Sequence, residues 1–175
     1  MYKIAVVGPE STGKTALTQS LANYYRSVRI PEYAREYVEK LNRRYNYQDI
    51  ERIAKKQIEQ EQGVESQENN CKFVFFDTDL IITKVWFEYC YRKVPEYVEE
   101  RLKTGFFDLY LLCYPDLEWK PDPVREHGGD DRIYFFYRYE NEIAKLKKPF
   151  VYIQGHGICR LNSAINGIEE YINNK

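Results

Sequence analysis

An apolar run that leads into a glycine-rich loop and then into a helical pattern constrains this chain more than any other feature. The run covers residues 3–7, the loop reads GPESTGKT over residues 8–15, and the helical pattern continues to residue 26. The pattern G-x-x-x-x-G-K-[ST] is weak alone, but it becomes specific when a strand precedes it and a helix follows it. The sequence therefore predicts a phosphate-binding loop and disfavours an ordinary glycine turn.

Each residue type in this loop has a chemical reason. Gly8 and Gly13 allow backbone conformations and close approach that larger residues prevent. Amide hydrogens around residues 11–15 converge on phosphate oxygens at the positive end of the helix. Lys14 reaches the β- and γ-phosphates of ATP, and the Thr15 hydroxyl binds Mg²⁺. We therefore expect Mg-ATP to be bound by seven loop residues, namely Gly8, Glu10, Ser11, Thr12, Gly13, Lys14 and Thr15.

Short apolar runs alternate with longer amphipathic stretches along the chain, which is typical of a parallel sheet covered by helices. Strands are predicted at residues 3–7, 28–30, 72–76, 109–114 and 150–154. Helices are predicted at 14–26, 48–62, 80–91, 96–103, 132–147 behind an Asp131 cap, and 160–173, with fraying into an exposed loop over 62–70. These elements predict one α/β domain over residues 1–175, a P-loop NTPase with a parallel sheet of about five strands.

Composition excludes several classes of partner. The 26 basic and 27 acidic residues give a net charge of −1, which offers no electrostatic reason for nucleic acid or a membrane as the main partner. No stretch approaches the roughly 18 apolar residues of a membrane span, and the first apolar run is too short for a signal peptide. Four cysteines without a CxxC pair fit reduced thiols and a cytoplasmic location. We expect a small-molecule partner and make no prediction of oligomeric state.

Two acidic residues, Asp77 and Asp79, follow an apolar strand at its carboxyl end, where ligands bind in open α/β sheets. Asp77 occupies the place of a Walker B carboxylate, which holds Mg²⁺ directly or through water, and a neighbouring acid can take a proton from an attacking hydroxyl. Asp79 has two open interpretations, a substrate contact or the N-cap of the next helix.

A charged segment, IPEYAREY over residues 30–37, follows the short second strand. Glu32 can accept hydrogen bonds from ribose-type hydroxyls, and Arg35, on the same helical face, can pair with Glu32 or with a phosphate. A solvated helix start with internal ion pairs explains the same residues equally well.

A polar loop rich in proline and glycine covers about residues 119–132 and is a candidate lid. Phosphoryl transfer needs water excluded and γ-phosphate charge stabilised, and a closing loop with Arg125 and Arg132 supplies both. Arg125 is the preferred lid arginine, and an ordinary surface loop is the alternative. The two histidines lack companions at metal-ligand spacing, so no zinc site is expected. The loop at Gly155 can flank a nucleotide base.

These blocks together resemble the ribosylnicotinamide kinase domain of NadR-type proteins, a family of P-loop kinase-like domains often described as AAA-type ATPases. The loop GPESTGKT resembles its G-x-E-S-x-G-K-[ST], EYARE at 32–36 its E-Y-x-R-E, and FDTD at 76–79 its strand-ending D-T-D. The lid resembles W-x-x-D-G-x-R, with Pro123 in place of a glycine, and the residues after the last strand resemble the family's glycine and arginine.

The resemblance implies ATP-dependent phosphorylation of nicotinamide riboside to its mononucleotide. It implies substrate contacts by Glu32, Tyr33, Arg35, Glu36, Asp79, Trp119 and Asp122, and nucleotide contacts by Gly155 and Arg160. The residues expected to take part in catalysis are Lys14, Glu32, Asp77 and Arg125, with the general base left open between Glu32 and Asp77. Because the chain starts two residues before the first predicted strand, we expect a stand-alone form of this domain.

Two other functions stay open from the sequence. One is a regulatory ATPase that signals to a protein partner, and the other is a P-loop kinase with a different metabolite as acceptor. The sequence has no N-K-x-D segment, which counts against an ordinary GTPase, and the chain is too short for the helical second domain of an oligomeric AAA+ machine.

Overall fold

One or two helices follow each strand in the computed structural model of the chain, which describes residues 1–66, 71–122, 126 and 128–175. In these residues the elements are β1 (Tyr2–Val7), α1 (Lys14–Tyr24), β2 (Val28–Ile30), α2 (Tyr33–Glu39), α3 (Tyr47–Ser66), β3 (Phe73–Asp77), α4 (Leu80–Tyr91), α5 (Glu96–Lys103), β4 (Leu109–Cys113), α6 (Asp131–Lys145), β5 (Phe150–Ile153) and α7 (Gly157–Asn173). The described elements confirm the predicted P-loop fold, a five-stranded parallel sheet flanked by helices.

The strand order is β2-β3-β1-β4-β5, with every neighbouring pair parallel. After β1 the chain passes through α1 to β2, at one edge of the sheet. After β4 it passes to β5, at the opposite edge. Adjacent strands whose connections leave in opposite directions open a crevice at their carboxyl ends, and ligands bind there in open α/β sheets. The loop of residues 8–15 follows β1 at this crevice.

Both faces of the sheet are covered, so β3 and β4 are buried throughout and β1 is buried from Ile4 onwards. In β1, Ala5 and Val7 pack into a cluster with residues of α4 and α6, while Ile4 and Val6 pack into a second cluster with residues of α1 and α7. Strands buried on both faces have continuous apolar sequences, which explains why the apolar runs predicted them. A third cluster joins α3, α4 and α5 beside the sheet.

All five predicted strands are confirmed, with boundaries that move by one residue at most. The helix predictions need several corrections. The helix α2 was not among the predicted helices, and α7 begins at Gly157, three residues before its predicted start at residue 160. Fraying was predicted from residue 62, but α3 continues to Ser66, because Val64 is buried and Glu65 pairs with Arg101 at 3.2 Å. Residues 67–70 lie outside the described part of the chain. The predicted Asp131 cap is also wrong, because α6 begins at Asp131 and its N-cap position is Asp130, whose side chain makes no capping hydrogen bond.

None of the helices in the described residues combines the length and the apolar character that crossing a bilayer requires.

Candidate functional site

The loop after β1 is held closely against the end of β4. Gly8 has φ of 150° and Gly13 has φ of 72°. A Cβ on Gly8 would lie 2.7 Å from the Cys113 carbonyl oxygen. A larger residue is therefore excluded at position 8 by the neighbouring strand and disfavoured at both positions by backbone strain.

The first turn of α1 presents a positive electrostatic end to this loop. Gly13 occupies the N-cap position without a side-chain capping bond, and the first turn carries no acidic residue. The initial N–H groups of a helix have no partner within the helix, and its dipole places partial positive charge there. This is the arrangement that binds phosphate groups at helix N-termini.

Two side chains of the loop hold its own backbone. The Lys14 ammonium donates to the Pro9 carbonyl oxygen at 2.8 Å, and the Thr12 hydroxyl donates to the same oxygen at 2.8 Å. Proline has no N–H to offer a phosphate, and in this loop its carbonyl serves as an internal acceptor.

One cavity of about 380 Å³ opens from the loop towards α2, α3, α4 and α6. Its floor is formed by loop residues 8–16. Outside the loop the described lining includes five aromatic side chains, namely Tyr45, Trp86, Tyr89, Phe135 and Tyr139. Its size and mixed lining are typical of sites that enclose a small molecule.

The aromatic wall is internally packed. Tyr45 meets Trp86 edge to face with ring centroids 4.7 Å apart, and Tyr89 meets Phe135 at 5.1 Å. The Tyr45 hydroxyl donates to the Glu126 carboxylate at 2.7 Å, and burial followed by this bond raises the pKa of Tyr45. The wall therefore has fixed ring positions against which a planar group can stack.

A polar pair interrupts this wall between α3 and α4. The Thr83 hydroxyl donates to the Gln57 side-chain oxygen at 2.6 Å, and the Gln57 amide nitrogen lies 3.4 Å from the Asp79 carbonyl oxygen. Both side chains line the cavity and both are buried. They place buried polar atoms beside the aromatic side chains of the cavity.

Asp77 ends β3 directly beside β1, in register with Val6. Its Oδ2 accepts a hydrogen bond from Arg29 Nη2 at 2.9 Å, and the carboxylate is fully buried. Its Oδ1 is also buried and has no partner among the described residues. The next residue, Thr78, has φ of 75° and lines the main cavity, whereas Asp77 lies behind it.

These residues fit a magnesium ion of the P-loop type. An orphaned, buried carboxylate oxygen at the strand end and the Thr15 hydroxyl at the cavity floor are hard oxygen donors, which Mg²⁺ prefers. No cluster of three or more His, Cys, Asp or Glu side chains suited to a metal exists in the described ranges. An ion here would take its remaining ligands from water and phosphate, as is usual for Mg²⁺.

Asp79 caps α4. Its Oδ1 accepts from the Ile81 backbone N–H at 3.0 Å, so the N-cap interpretation is confirmed. The side chain is buried away from the cavity wall, and its burial, followed by the charge of Glu61, raises the pKa of Asp79 to about 7. The geometry therefore does not bring this carboxylate to the cavity.

The charged segment at the start of α2 is divided between the cavity and solvent. Glu32 and Arg35 line the cavity. Arg35 lies 2.9 Å from Asp122 of the candidate lid and 3.8 Å from Glu32. Tyr33 and Glu36 do not line the main cavity, and Glu36 pairs with Lys40 on the surface.

The candidate lid contacts the phosphate loop through its described residues. Trp119 Nε1 lies 3.4 Å from Glu10 Oε2, and the Glu126 backbone N–H donates to Glu10 Oε1 at 3.1 Å. The Lys120 N–H also donates to Ser11 Oγ at 3.1 Å. Arg125, the preferred lid arginine, lies outside the described residues.

Two arginines that were predicted as site residues donate hydrogen bonds to backbone carbonyls and do not line the main cavity. Arg132 lies in the first turn of α6, as the helix predicted from residue 132 requires, so the candidate lid ends before Asp131. Arg160 is buried and donates to Asp116 at 2.8 Å and to the Gly155 carbonyl at 2.9 Å, and Asp116 also accepts from the Gly155 N–H. Arg160 and Gly155 thus connect the loops after β4 and β5 without lining the main cavity.

The sequence analysis missed several residues that line the cavity outside the loop. Tyr45, Gln57, Thr83 and Trp86 belong to no motif, and Arg29 lies 48 residues from its partner Asp77. One signal was present, because three cavity residues of α4 recur at helical spacing, namely Ile82, Trp86 and Tyr89. The same spacing is typical of an ordinary core face, so it does not distinguish a site.

Comparison with known proteins assigns the chain to a family. A family described as an AAA domain matches residues 3–159. The trifunctional NAD biosynthesis/regulator protein NadR of Salmonella typhimurium is 27% identical over 130 residues, which cover 72% of this chain and 31% of the relative. This chain thus aligns with about a third of the length of the curated relatives it matches.

Solved structures of other proteins share the fold of this chain. A NadR protein in complex with NR has a TM-score of 0.76 and 28% identity, covering 97% of this chain and 51% of that chain. The NadR complex with NAD and AMP-PNP has a TM-score of 0.69 and 26% identity, covering 97% and 49%. A deoxyadenosine kinase from M. mycoides, at 12% identity, shares the fold with a TM-score of 0.66 over 96% of this chain and 99% of its own. Since the family match spans nearly the whole sequence, the chain belongs to this AAA domain family and has the fold of the P-loop kinases.

Proposed function

We propose that the chain is an ATP-dependent kinase that phosphorylates nicotinamide riboside, or a similar nucleoside, at its 5′-hydroxyl. The observation that carries this proposal is the single cavity that joins the phosphate loop to an aromatic compartment. A donor site alone would not need the second half. The similarity to a NadR protein in complex with NR supports the choice of acceptor.

The donor half holds the phosphates of ATP. Loop N–H groups and the N-terminus of α1 bind phosphate oxygens, and Lys14 turns from Pro9 to the β- and γ-phosphates. Thr15 and Asp77 would hold Mg²⁺, which, when bound, neutralises phosphate charge. The AMP-PNP complex of a NadR protein supports an adenine nucleotide in this half.

The acceptor half recognises a flat ring and its polar edge. Trp86 and Tyr45 offer stacking surfaces, and the Gln57 and Thr83 pair offers hydrogen bonds to a substituent such as a carboxamide. Base stacking on aromatic side chains contributes roughly 1–3 kcal/mol per base. These contacts hold the sugar towards the loop.

Glu32 is the better candidate for the general base. It lines the cavity, whereas Asp77 lies behind Thr78 in an ion pair with Arg29. In the proposed step the 5′-oxygen forms a bond to the γ-phosphorus, the bond from that phosphorus to the β,γ-bridging oxygen breaks, and ADP leaves. The hydroxyl proton goes to Glu32.

The lid completes the proposed site. The described residues Trp119 and Asp122 connect it to Glu10 and Arg35, so a closed lid touches both halves of the cavity. Arg125, assigned from the sequence, would stabilise charge on the transferred group, and closure would exclude water. Catalysis then consists mainly of positioning and electrostatic stabilisation.

The test is ADP release from Mg-ATP with a panel of nucleosides, nucleotides and other metabolites that includes nicotinamide riboside. We expect release that depends on an acceptor and is fastest with nicotinamide riboside. Fast transfer to another metabolite would contradict the acceptor and retain the kinase. Hydrolysis at the same rate with and without acceptors would contradict the kinase and favour a regulatory ATPase.

A further inference from the structure

Arg132 is a buried cation that points at the backbone of the phosphate loop. Its side chain lies in the first turn of α6, and the residue is 7% exposed. Its Nε donates to the Glu10 carbonyl at 3.1 Å and its Nη2 to the Ser11 carbonyl at 3.3 Å. Its Nη1 donates to the Leu117 carbonyl at 2.8 Å, so the fork joins the loop to the segment after β4.

The two loop carbonyls fix the direction of the two N–H groups that follow them. In a trans peptide the carbonyl oxygen of one residue and the N–H of the next point in opposite directions. Since the Glu10 and Ser11 oxygens face Arg132, the N–H groups of Ser11 and Thr12 point away from it. Residues 8–16 line the cavity and Arg132 does not, so we expect phosphate on the side of the loop opposite Arg132, towards which these two N–H groups point.

Ser11 needs this support because its backbone is strained. It has φ of 54°, a left-handed conformation that is unfavourable for a residue other than glycine. Such conformations persist when the surrounding structure determines them, and they cluster at ligand sites. A planar guanidinium that binds the carbonyls on both sides of one residue fixes its orientation more completely than a single-point donor does.

We infer that Arg132 is a positioning residue that orients the Ser11 and Thr12 amides for phosphate by binding the opposite ends of their peptide units. It acts through the loop and does not itself touch phosphate. The cation also polarises both peptide units, which strengthens their N–H groups as donors to an anion. This inference depends on the proposed function in one respect, namely that the cavity binds polyphosphate.

The experiment measures binding, not transfer. Calorimetry compares Mg-ADP and inorganic tripolyphosphate on wild type, Arg132→Ala and Arg132→Lys, with Arg138→Ala as a matched control on the same helix. Arg138 contacts Glu88 and Tyr134 instead of the loop. We expect Arg132→Ala to weaken the binding of both ligands by the same factor, roughly tenfold or more, because the Ser11 and Thr12 N–H groups lose their orientation towards the charged phosphate. The affinity of Arg132→Lys for both ligands should lie between those of Arg132→Ala and wild type. The affinity of Arg138→Ala should stay within about twofold of wild type.

The outcomes separate this inference from the proposed function. Wild-type affinity in Arg132→Ala overturns the inference and leaves the kinase proposal intact. A wild type that binds neither ligand overturns both. If Arg132→Ala does not fold, Arg132→Lys decides, because wild-type affinity in that variant overturns the inference and a several-fold loss supports it. Equal losses in Arg132→Ala and Arg138→Ala indicate general loosening of α6 and also overturn it.

Discussion

The Lys14 ammonium donates a hydrogen bond to the Pro9 carbonyl oxygen, 2.8 Å away within the same loop. The lysine is thus folded onto its own backbone, and Thr12 donates to the same oxygen. A phosphate group would offer this ammonium a charged acceptor, which forms the stronger bond. We therefore expect the internal bond to hold the loop in shape until a nucleotide replaces it.

Lys14→Ala tests this relationship. We expect ATP turnover to fall by at least about a hundredfold, because a cation at the transferred phosphoryl is lost. The melting temperature should change little, since the Thr12 hydroxyl still binds Pro9. Steady-state ADP release and thermal unfolding provide the two measurements. Lys56→Ala, which removes an exposed pair with Glu59 on α3, is the control, and unchanged turnover in Lys14→Ala would refute the assigned mechanism.

Asp77→Asn separates a metal role from a structural one. If Asp77 holds Mg²⁺, the variant should lose turnover by roughly a hundredfold while ATP affinity stays within a few-fold of wild type. Arg29→Gln removes the same ion pair but keeps the carboxylate, so it should retain most activity. Equal losses in the two variants would show that Asp77 serves only as the partner of Arg29. Turnover titrated with Mg²⁺ for each variant decides between the two roles.

Trp86→Ala tests the acceptor compartment. The indole lines the cavity and packs against Tyr45 at 4.7 Å between ring centroids. Losing a stacking surface should raise the KM for nicotinamide riboside roughly tenfold or more and leave the KM for ATP nearly constant. Tyr137→Ala, at a 57% exposed position on α6, is the control. Parallel increases in both KM values would indicate that Trp86 only supports the fold.

Asp49→Asn tests the support of the loop that carries Tyr45. Asp49 is fully buried and accepts hydrogen bonds from Arg43 at 2.6 Å and from Tyr37 at 2.9 Å. The hydrogen bond from Arg43 is the largest influence on the pKa of Asp49 and holds it well below its usual range. The folded state therefore gains stability from the ionised carboxylate above the ordinary pKa of about 3.9 and loses it as pH falls further.

The free energy of unfolding of wild type should accordingly decrease below about pH 4, and Asp49→Asn should show a shallower decrease. At neutral pH the variant should melt roughly 5 °C lower, because charged hydrogen bonds are lost in the interior. Denaturant titrations at several pH values measure both effects. Glu36→Gln, which affects only a surface pair with Lys40, is the control. The same acid slope in wild type and Asp49→Asn would contradict this assignment.

The sheet and the phosphate loop could be predicted from the sequence because their signals are local. Strands buried on both faces are continuous apolar runs, as in Phe73–Asp77. The loop needs its glycines at fixed spacing, as the contact of Gly8 with Cys113 explains. Helix ends were less predictable, and α3 continues to Ser66 because Val64 finds a place in the core that its polar neighbours do not reveal.

The cavity lining outside the loop could not be predicted because it depends on packing between distant elements. Gln57 and Thr83 become a hydrogen-bonded pair only when α3 packs against α4. Arg132 was predicted both as the last residue of the lid and as the first residue of a helix, and only the folded structure shows that its side chain binds the loop carbonyls. The chemistry of such residues depends on partners far away in the chain, and periodicity carries no information about them.

The most direct test of the central claim follows the γ-phosphoryl group of isotopically labelled ATP in the presence of Mg²⁺ and nicotinamide riboside. We predict that the label appears on the 5′-oxygen of the riboside in a one-to-one ratio with ADP, and that Lys14→Ala abolishes this transfer. Label recovered only as inorganic phosphate, at a rate independent of the riboside, would contradict the account.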